Sequence, residues 1–316
     1  MAGRCPEDRE DEFIEDAAVL SIHDLGAKYN RAPSTMREWR VDLYRRNKLL
    51  WYPGIAVCEP QVYDDYIELE GDAVIVSDLE VPYHDPVLLG YAVSIGKKFG
   101  IKRLVIAGDF LANDAIGFFA SQAEDMDVGV RFTVADSLLA GREVLSSLFM
   151  WFDHIVLIKG NHEQRGNRIA ELGFFNMMRD YWEDFDSEGK LEISYYKWCR
   201  IAGRRVEHPT FRKVPGSIAR ERAEIEDEPI MAAHTHGFSY SFTKNGKYEC
   251  IDLGHCTRPE TRFYKTVNGV TPHYKWVAGF WIIYRGHVYG FPKEFTDWSF
   301  WLRDITIGGK KEEDST

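Results

Sequence analysis

The stretch "AVIVSDLEVPYHDP", residues 73–86, decides how this chain is read. Four β-branched or small apolar residues form a buried strand, which ends at Asp78. Asp85 followed by Pro86 marks the start of a helix, with Asp85 at the N-cap and Pro86 at the first helical position. The same rhythm returns twice. "RLVIAGD" (103–109) leads to a helical run near 133–151, and "HIVLIKGNHE" (154–163) leads to another near 167–182. Strands alternating with helices predict an α/β domain whose sheet carries helices on its faces. Further on, "TKNGKY" gives an Asn245-Gly246 hairpin signal and "YRGHVYGF" a weaker one, so added β-hairpins are expected.

Composition sets the outer limits. With 316 residues, 45% hydrophobic and 14% aromatic, the chain can bury a substantial core, which excludes a mainly disordered protein. A net charge of -11 excludes nucleic-acid binding over the whole surface and leaves room for a local basic patch. The five cysteines, Cys5, Cys58, Cys199, Cys250 and Cys256, are scattered without a CxxC, which predicts reduced thiols in a cytoplasmic protein. The first residues lack an apolar signal region, and no stretch approaches a membrane span.

The expected organisation has five parts. Residues 1–12 and 306–316 are charged and expected to be disordered. Residues 13–50 form a small all-helical module, 51–70 a connector, and 71–305 the α/β domain. Within the module, Ile22, Leu25 and Tyr29 share one helix face, and Met36, Trp39 and Leu43 form the stripe of a second helix capped by Ser34. That second helix lies in a segment with six basic residues between Arg31 and Lys48, so the pair resembles a helix-turn-helix in which Arg37, Arg40 and Arg45 would meet DNA. A docking or oligomerisation role for the same helices stands beside that reading.

The polar residues at the strand ends carry the chemistry. In order they are Asp78, Gly108-Asp109, Gly160-Asn161-His162-Glu163, His208 in "RRVEHPT", and "AHTH" (233–236). Loops at one edge of an α/β sheet are where such proteins build their sites. Mixed carboxylate, amide and imidazole donors suit borderline first-row metals. Two such ions about 4 Å apart clamp a phosphoryl group during in-line attack.

Those five blocks in that order resemble the calcineurin-like metallophosphoesterase superfamily, over about residues 72–255. The resemblance implies a β-sandwich of mixed sheets flanked by helices, with two divalent metal ions. One would be held by Asp78, Glu80, Asp109 and His236, the other by Asp109, Asn161, His208 and His234. Attack on phosphorus would come from a hydroxide bridging the metals, with His162 stabilising or protonating the leaving oxygen.

Three positions depart from the family pattern. Glu80 stands where a His is usual, Ala233 replaces a Gly, and Ala112 replaces an Asp, with Asn113 and Asp114 available to support that loop. Glu80 leaves three outcomes open: it ligates, His84 swings in, or the site keeps one tight metal. A glutamate would favour Mn2+ or Fe over Zn2+. Substrate contacts are expected from His84, Asn113, Arg165 and His255, although a loop, helix-start or core position accounts equally for each. His23, His154, His273 and His287 read as structural.

The functional expectation is a metal-dependent phosphodiesterase or nuclease acting on DNA or nucleotides. A nucleotide or protein phosphatase of the same fold is the alternative, and a non-catalytic DNA-binding or assembly protein with a weakened metal site is the rival from another class.

Overall fold

A computed structural model describes residues 5–20, 22–46, 66–116, 133–164, 178, 180–182, 184–194, 196–210, 214, 216–258 and 276–303. The chain divides into two compact units, 1–64 and 65–316.

The first unit is helical. After a 3-10 turn at Glu7–Arg9 come α1 (Glu10–Val19), α2 (Ile22–Tyr29) and α3 (Pro33–Arg45). Order therefore begins well before residue 13, correcting the expected disordered segment. The acidic run that suggested disorder supplies Glu10, Asp11 and Glu12 to the first turn of α1, where carboxylates favour the helix N-terminus. Phe13 and Ala17 then pack on Leu25, Met36 and Leu43. Phe13, Tyr29 and Trp39 meet edge to face at 5.3–6.0 Å between ring centres. Of the expected apolar faces, Leu25 and Tyr29 on α2 and Met36, Trp39 and Leu43 on α3 are buried and Ile22 is half-buried, and α3 begins at Pro33, one residue before the anticipated Ser34 cap.

The second unit contains two six-stranded mixed sheets with helices on the outside. Its strands are β1 (Glu68–Leu69), β2 (Ala73–Val76), β3 (Arg103–Ile106), β4 (His154–Leu157), β5 (Leu191–Ile193), β6 (Trp198–Ile201), β7 (Arg204–Glu207), β8 (Ile230–Ala232), β9 (Phe238–Phe242), β10 (Glu249–Leu253), β11 (Gly279–Tyr284) and β12 (His287–Pro292). One sheet runs β12-β11-β2-β3-β4-β5, the other β1-β6-β7-β8-β10-β9. Because β1 pairs with β6, this unit starts before residue 71 and claims the end of the expected connector. Asn245-Gly246 lies in the turn between β9 and β10. Arg285-Gly286 turns between β11 and β12, with positive φ at both residues, 52° and 80°.

Alternation along the strands sorts the core into layers. Ala73, Ile75, Val105 and Val156 face Ile201, Val206, Met231 and Ile251 between the sheets. Val74, Val76, Leu104 and Ile106 face the other way, against α4 (Pro86–Lys98) and α5 (Val134–Phe149). On the far sheet, Ile230 and Cys250 meet α6 (Ile218–Glu226). Each large apolar side chain buried this way contributes about 1.5–3 kcal/mol. The helix starts follow local chemistry: Asp85 Oδ1 accepts from the N–H groups of Val87 and Leu88, and Thr133 and Asp136 form a capping box.

Register then places the site. Val76, Ile106 and Leu157 pair in one row, so the chain leaves parallel β2, β3 and β4 at the same edge. On the facing sheet Glu207, Ala232 and Asp252 form the matching row.

Candidate metal centre

The loops leaving these two rows bring the sequence-selected residues together. Asp78, Glu80, Asp109, His162, His208 and His236 are all buried, and Asn161 and His234 are half-buried. Three overlapping groups have ligand atoms within 4.8 Å of one another: Asp109, His208 and His234; Asp78, Glu80 and His236; and Glu80, Asp109 and His162.

Backbone strain concentrates here. Ten described non-glycine residues have positive φ, and six of them are Asp78, Glu80, Asp109, Asn113, His234 and His236. Left-handed backbone costs an ordinary residue about 1–2 kcal/mol and persists where the surroundings enforce it, commonly at functional sites. Ala233, the residue that departs from glycine, is not among them, so its side chain is tolerated. Gly108, by contrast, has a φ of 78°, and a Cβ there would come within 2.6 Å of His208 Nδ1.

The donor atoms suit a cation. His208 Nδ1 lies 2.9 Å from the Ala107 carbonyl oxygen, an acceptor only, so Nδ1 carries a proton. In the neutral ring Nε2 then presents its lone pair to Asn161 Oδ1 at 3.1 Å and Asp109 Oδ2 at 3.3 Å. Three lone-pair atoms this close repel unless a positive charge lies among them. On the second group, His236 Nε2 is 3.2 Å from Asp78 Oδ1 and 3.7 Å from Glu80 Oε1. The residues present therefore fit divalent metal.

Without a cation in the site, the same closeness draws a proton to the imidazole between the oxygens. Burial opposes ionisation of Asp109, yet His162 and His208 hold its carboxyl well below the ordinary range. Burial likewise opposes the Asp78 charge, and His236 and His208 outweigh it to hold that carboxyl low. Burial works against a charged His208, and Asp109 still raises it to about 10, so without metal the ring carries a second proton on Nε2, which a bound cation would displace. Burial and the neighbouring His208 push His234 down to about 4, leaving a neutral imidazole of the kind that ligates metal.

Glu163 is the residue that motif reading left without a role. Fully buried, its carboxylate accepts the N–H groups of Gly160 (2.8 Å), Leu111 (3.0 Å) and Asp109 (3.1 Å). It ties the loop after β3 to the loop after β4. Asp109 Oδ1 returns the connection by accepting the His162 N–H at 2.8 Å.

The predicted substrate contacts fare unevenly. Asn113 is fully buried and donates to the His162 carbonyl at 3.1 Å, so it supports the loop in place of the missing Ala112 carboxylate and does not face a substrate. His84 pairs with Thr257 in a β-bridge and enters none of the cation groups among the described residues, so Glu80 occupies the position in question. The His255 ring is buried 5.0 Å from His236, and its Nδ1 accepts the Thr257 N–H at 3.3 Å. Arg165 lies outside the described residues. In the helical unit Arg40 is buried and donates to the carbonyls of Ala17 and Leu20, both at 2.9 Å, which corrects its assignment to DNA: it closes the end of α1. Arg37 is exposed, and the Arg45 side chain lies outside the described residues.

Fold and site together are two facing mixed sheets with helices outside, and Asp, His and Asn donors gathered at one edge. No family model matches the chain. No curated protein matches it. Among solved structures it is similar to Vacuolar Protein Sorting 29 from Cryptosporidium parvum, at 15% identity over 70% of this chain and 96% of that one, with a TM-score of 0.36. It is also similar to the Vps29 protein of Chaetomium thermophilum, at 10% identity over 67% and 79% of the two chains, with a TM-score of 0.32. A third likeness is to a predicted phosphoesterase from Streptococcus pneumoniae, at 11% identity over 71% and 98%, with a TM-score of 0.24. Likenesses this distant carry nothing about activity.

Proposed function

We propose that this protein is a divalent-metal-dependent phosphoesterase that hydrolyses a phosphodiester. The observation that carries the reading is the position of Asp109, whose Oδ2 lies 3.3 Å from His208 Nε2 and 3.5 Å from His162 Nε2, while its residue belongs to two of the three cation groups.

One ion would be held by Asp78, Glu80, Asp109 and His236, and the other by Asp109, Asn161, His208 and His234. Mn2+ or Fe suits the oxygen-rich first set better than Zn2+. Such ions, when bound, supply an activated water and neutralise charge on the phosphoryl group. The protein's own residues orient and exclude. Glu163 and Asn113 fix the two loops, the Ala107 carbonyl fixes the His208 tautomer, and the burial of the carboxylates keeps bulk water from competing. His162, whose backbone N–H donates to Asp109 Oδ1, would act as the proton donor to the leaving alkoxide.

Small nucleotide-like diesters are favoured over duplex DNA. Two cations of the basic segment are consumed internally: Arg40 caps α1, and Arg46 pairs with Glu10 at 2.5 Å and Asp42 at 2.7 Å. The test is Mn2+-dependent hydrolysis of bis-p-nitrophenyl phosphate by the wild-type chain beside Asn161→Ala and His162→Ala, with duplex and single-stranded DNA as competing substrates. Turnover of the small diester that collapses in both variants supports the reading. Absence of metal-dependent turnover with every substrate rejects it in favour of a non-catalytic binding or assembly protein.

A further inference from the structure

We infer that Trp276 is a positioning residue of the first cation site, the ring that fixes how His236 presents Nε2 to a metal. The inference rests on the metal-dependent reading above and adds to it a residue that no motif marks.

The contact is between rings. The Trp276 and His236 ring centres lie 4.5 Å apart, with 60° between their planes. His255 approaches the same imidazole at 5.0 Å and 38°, and its ring centre is 6.3 Å from that of Trp276. Between these neighbours His236 directs Nε2 to within 3.2 Å of Asp78 Oδ1 and 3.7 Å of Glu80 Oε1. Aromatic rings at such separations attract beyond the area they bury. A side chain locked by packing keeps its donor atom in one place, where a loosely packed one swings.

Backbone pairing brings Trp276 there. Trp276 and Gly237 form an antiparallel bridge, and the Val277 N–H donates to the His236 carbonyl at 2.9 Å. The following residues reach the other ring: Ala278 bridges to His255, and the Gly279 N–H donates to the His255 carbonyl at 3.0 Å. Gly254 permits the close approach, since a Cβ there would come within 2.7 Å of the Val277 carbonyl oxygen. His236 has a left-handed backbone with φ of 59°, a conformation that persists where the surroundings enforce it. One short segment, 276–279, thus holds both the main chain and the ring of His236.

The two cation sets differ in this respect. In the second, His208 and His234 pack on each other with ring centres 5.2 Å apart, and the Ala107 carbonyl fixes His208. In the first, His236 is the single imidazole beside Asp78, Glu80 and Asp109, so its direction is set by rings outside the ligand set. Trp276 therefore tightens one ion and leaves the other alone.

The test is Mn2+ binding by the full chain, followed by calorimetry and by electron paramagnetic resonance of the free ion, with no turnover required. Trp276→Leu and Trp276→Phe both keep apolar bulk at a half-buried position, so both are expected to fold, which urea unfolding of the metal-free chains checks. Trp276→Leu is expected to weaken one of the two ions about tenfold and to leave the other within about twofold, the scale on which a residue that orients a ligand acts. Trp276→Phe restores a ring and is expected to recover most of the loss. In a His236→Ala chain, Trp276→Leu is expected to change Mn2+ affinity by less than about twofold, because the contact through which it acts is gone. Undiminished affinity in Trp276→Leu, equal weakening of both ions, no recovery in Trp276→Phe, or the same loss in the His236→Ala chain overturns the inference and leaves the metal reading standing. Absence of Mn2+ binding by wild type rejects both.

Discussion

Glu163 Oε2 accepts the backbone N–H of Asp109 at 3.1 Å, so the residue that closes the "GNHE" loop holds the residue at the centre of the site by its main chain. The same oxygen accepts from Gly160 at 2.8 Å, and Oε1 accepts from Leu111 at 3.0 Å. Glu163→Gln replaces one acceptor oxygen with an amide donor and leaves at least one buried N–H facing it. The expected loss is about 1–3 kcal/mol in urea unfolding, with weaker metal binding because the loop positions relax. An unchanged unfolding midpoint would contradict this role.

In the proposed site Glu80 would decide how the first ion is held. Its Oε1 is 3.7 Å from His236 Nε2, within a group completed by Asp78. Glu80→His is expected to keep metal while moving preference from Mn2+ toward Zn2+, and Glu80→Ala to lower metal content per chain. Metal analysis after dialysis against equal Mn2+ and Zn2+ reads both. Full metal content in Glu80→Ala would remove Glu80 from the ligand set.

Asp252 links the pH dependence of stability to the fold. Buried on β10, it accepts the N–H groups of Ile218 and Ala219 at the start of α6 and the Ser239 hydroxyl, yet burial raises its carboxyl to about 6. A group whose folded-state value is raised stabilises most below the unfolded value of 3.8, and that contribution is lost as pH climbs through about 6. Asp252→Asn keeps the acceptor oxygen without the charge. It should match wild type near pH 4 and gain about 2–3 kcal/mol on it by pH 8, since each tenfold difference in proton affinity between the folded and unfolded chain is worth about 1.4 kcal/mol. A stability difference that does not change between those pH values would refute the assignment.

In the helical unit, Arg40→Met strips the partner from the Ala17 and Leu20 carbonyls. A loss of about 1–3 kcal/mol follows, seen as faster amide exchange in α1. Arg37→Ala, at an exposed position, should change stability by less than about 0.5 kcal/mol. Equal effects of the two would undo the distinction between a structural and a solvent-facing arginine.

Strand ends and their polar residues were legible because apolar runs fix the strands locally and parallel register aligns their ends, as Val76, Ile106 and Leu157 do. The polar groups at that edge could therefore be picked out in order, while the ligand sets assigned to them were what the resemblance implied. What escaped were properties set by distant partners. Glu163 draws its donors from residues 52 and 54 positions away, and Asn113 finds His162 at a separation of 49. Arg40 looked like a helix-surface cation because its partners, Ala17 and Leu20, lie at the end of another helix. The acidic start of the chain looked too polar to order, since nothing local shows that Phe13 will close an aromatic cluster with Tyr29 and Trp39.

Metal content per chain, measured for wild type and Asp109→Ala after Mn2+ loading and desalting, tests whether Asp109 is shared between two cation positions. About two ions are expected in wild type and the loss of both in the variant, because each group loses a ligand. One ion or none in wild type, or undiminished content in Asp109→Ala, would contradict that sharing.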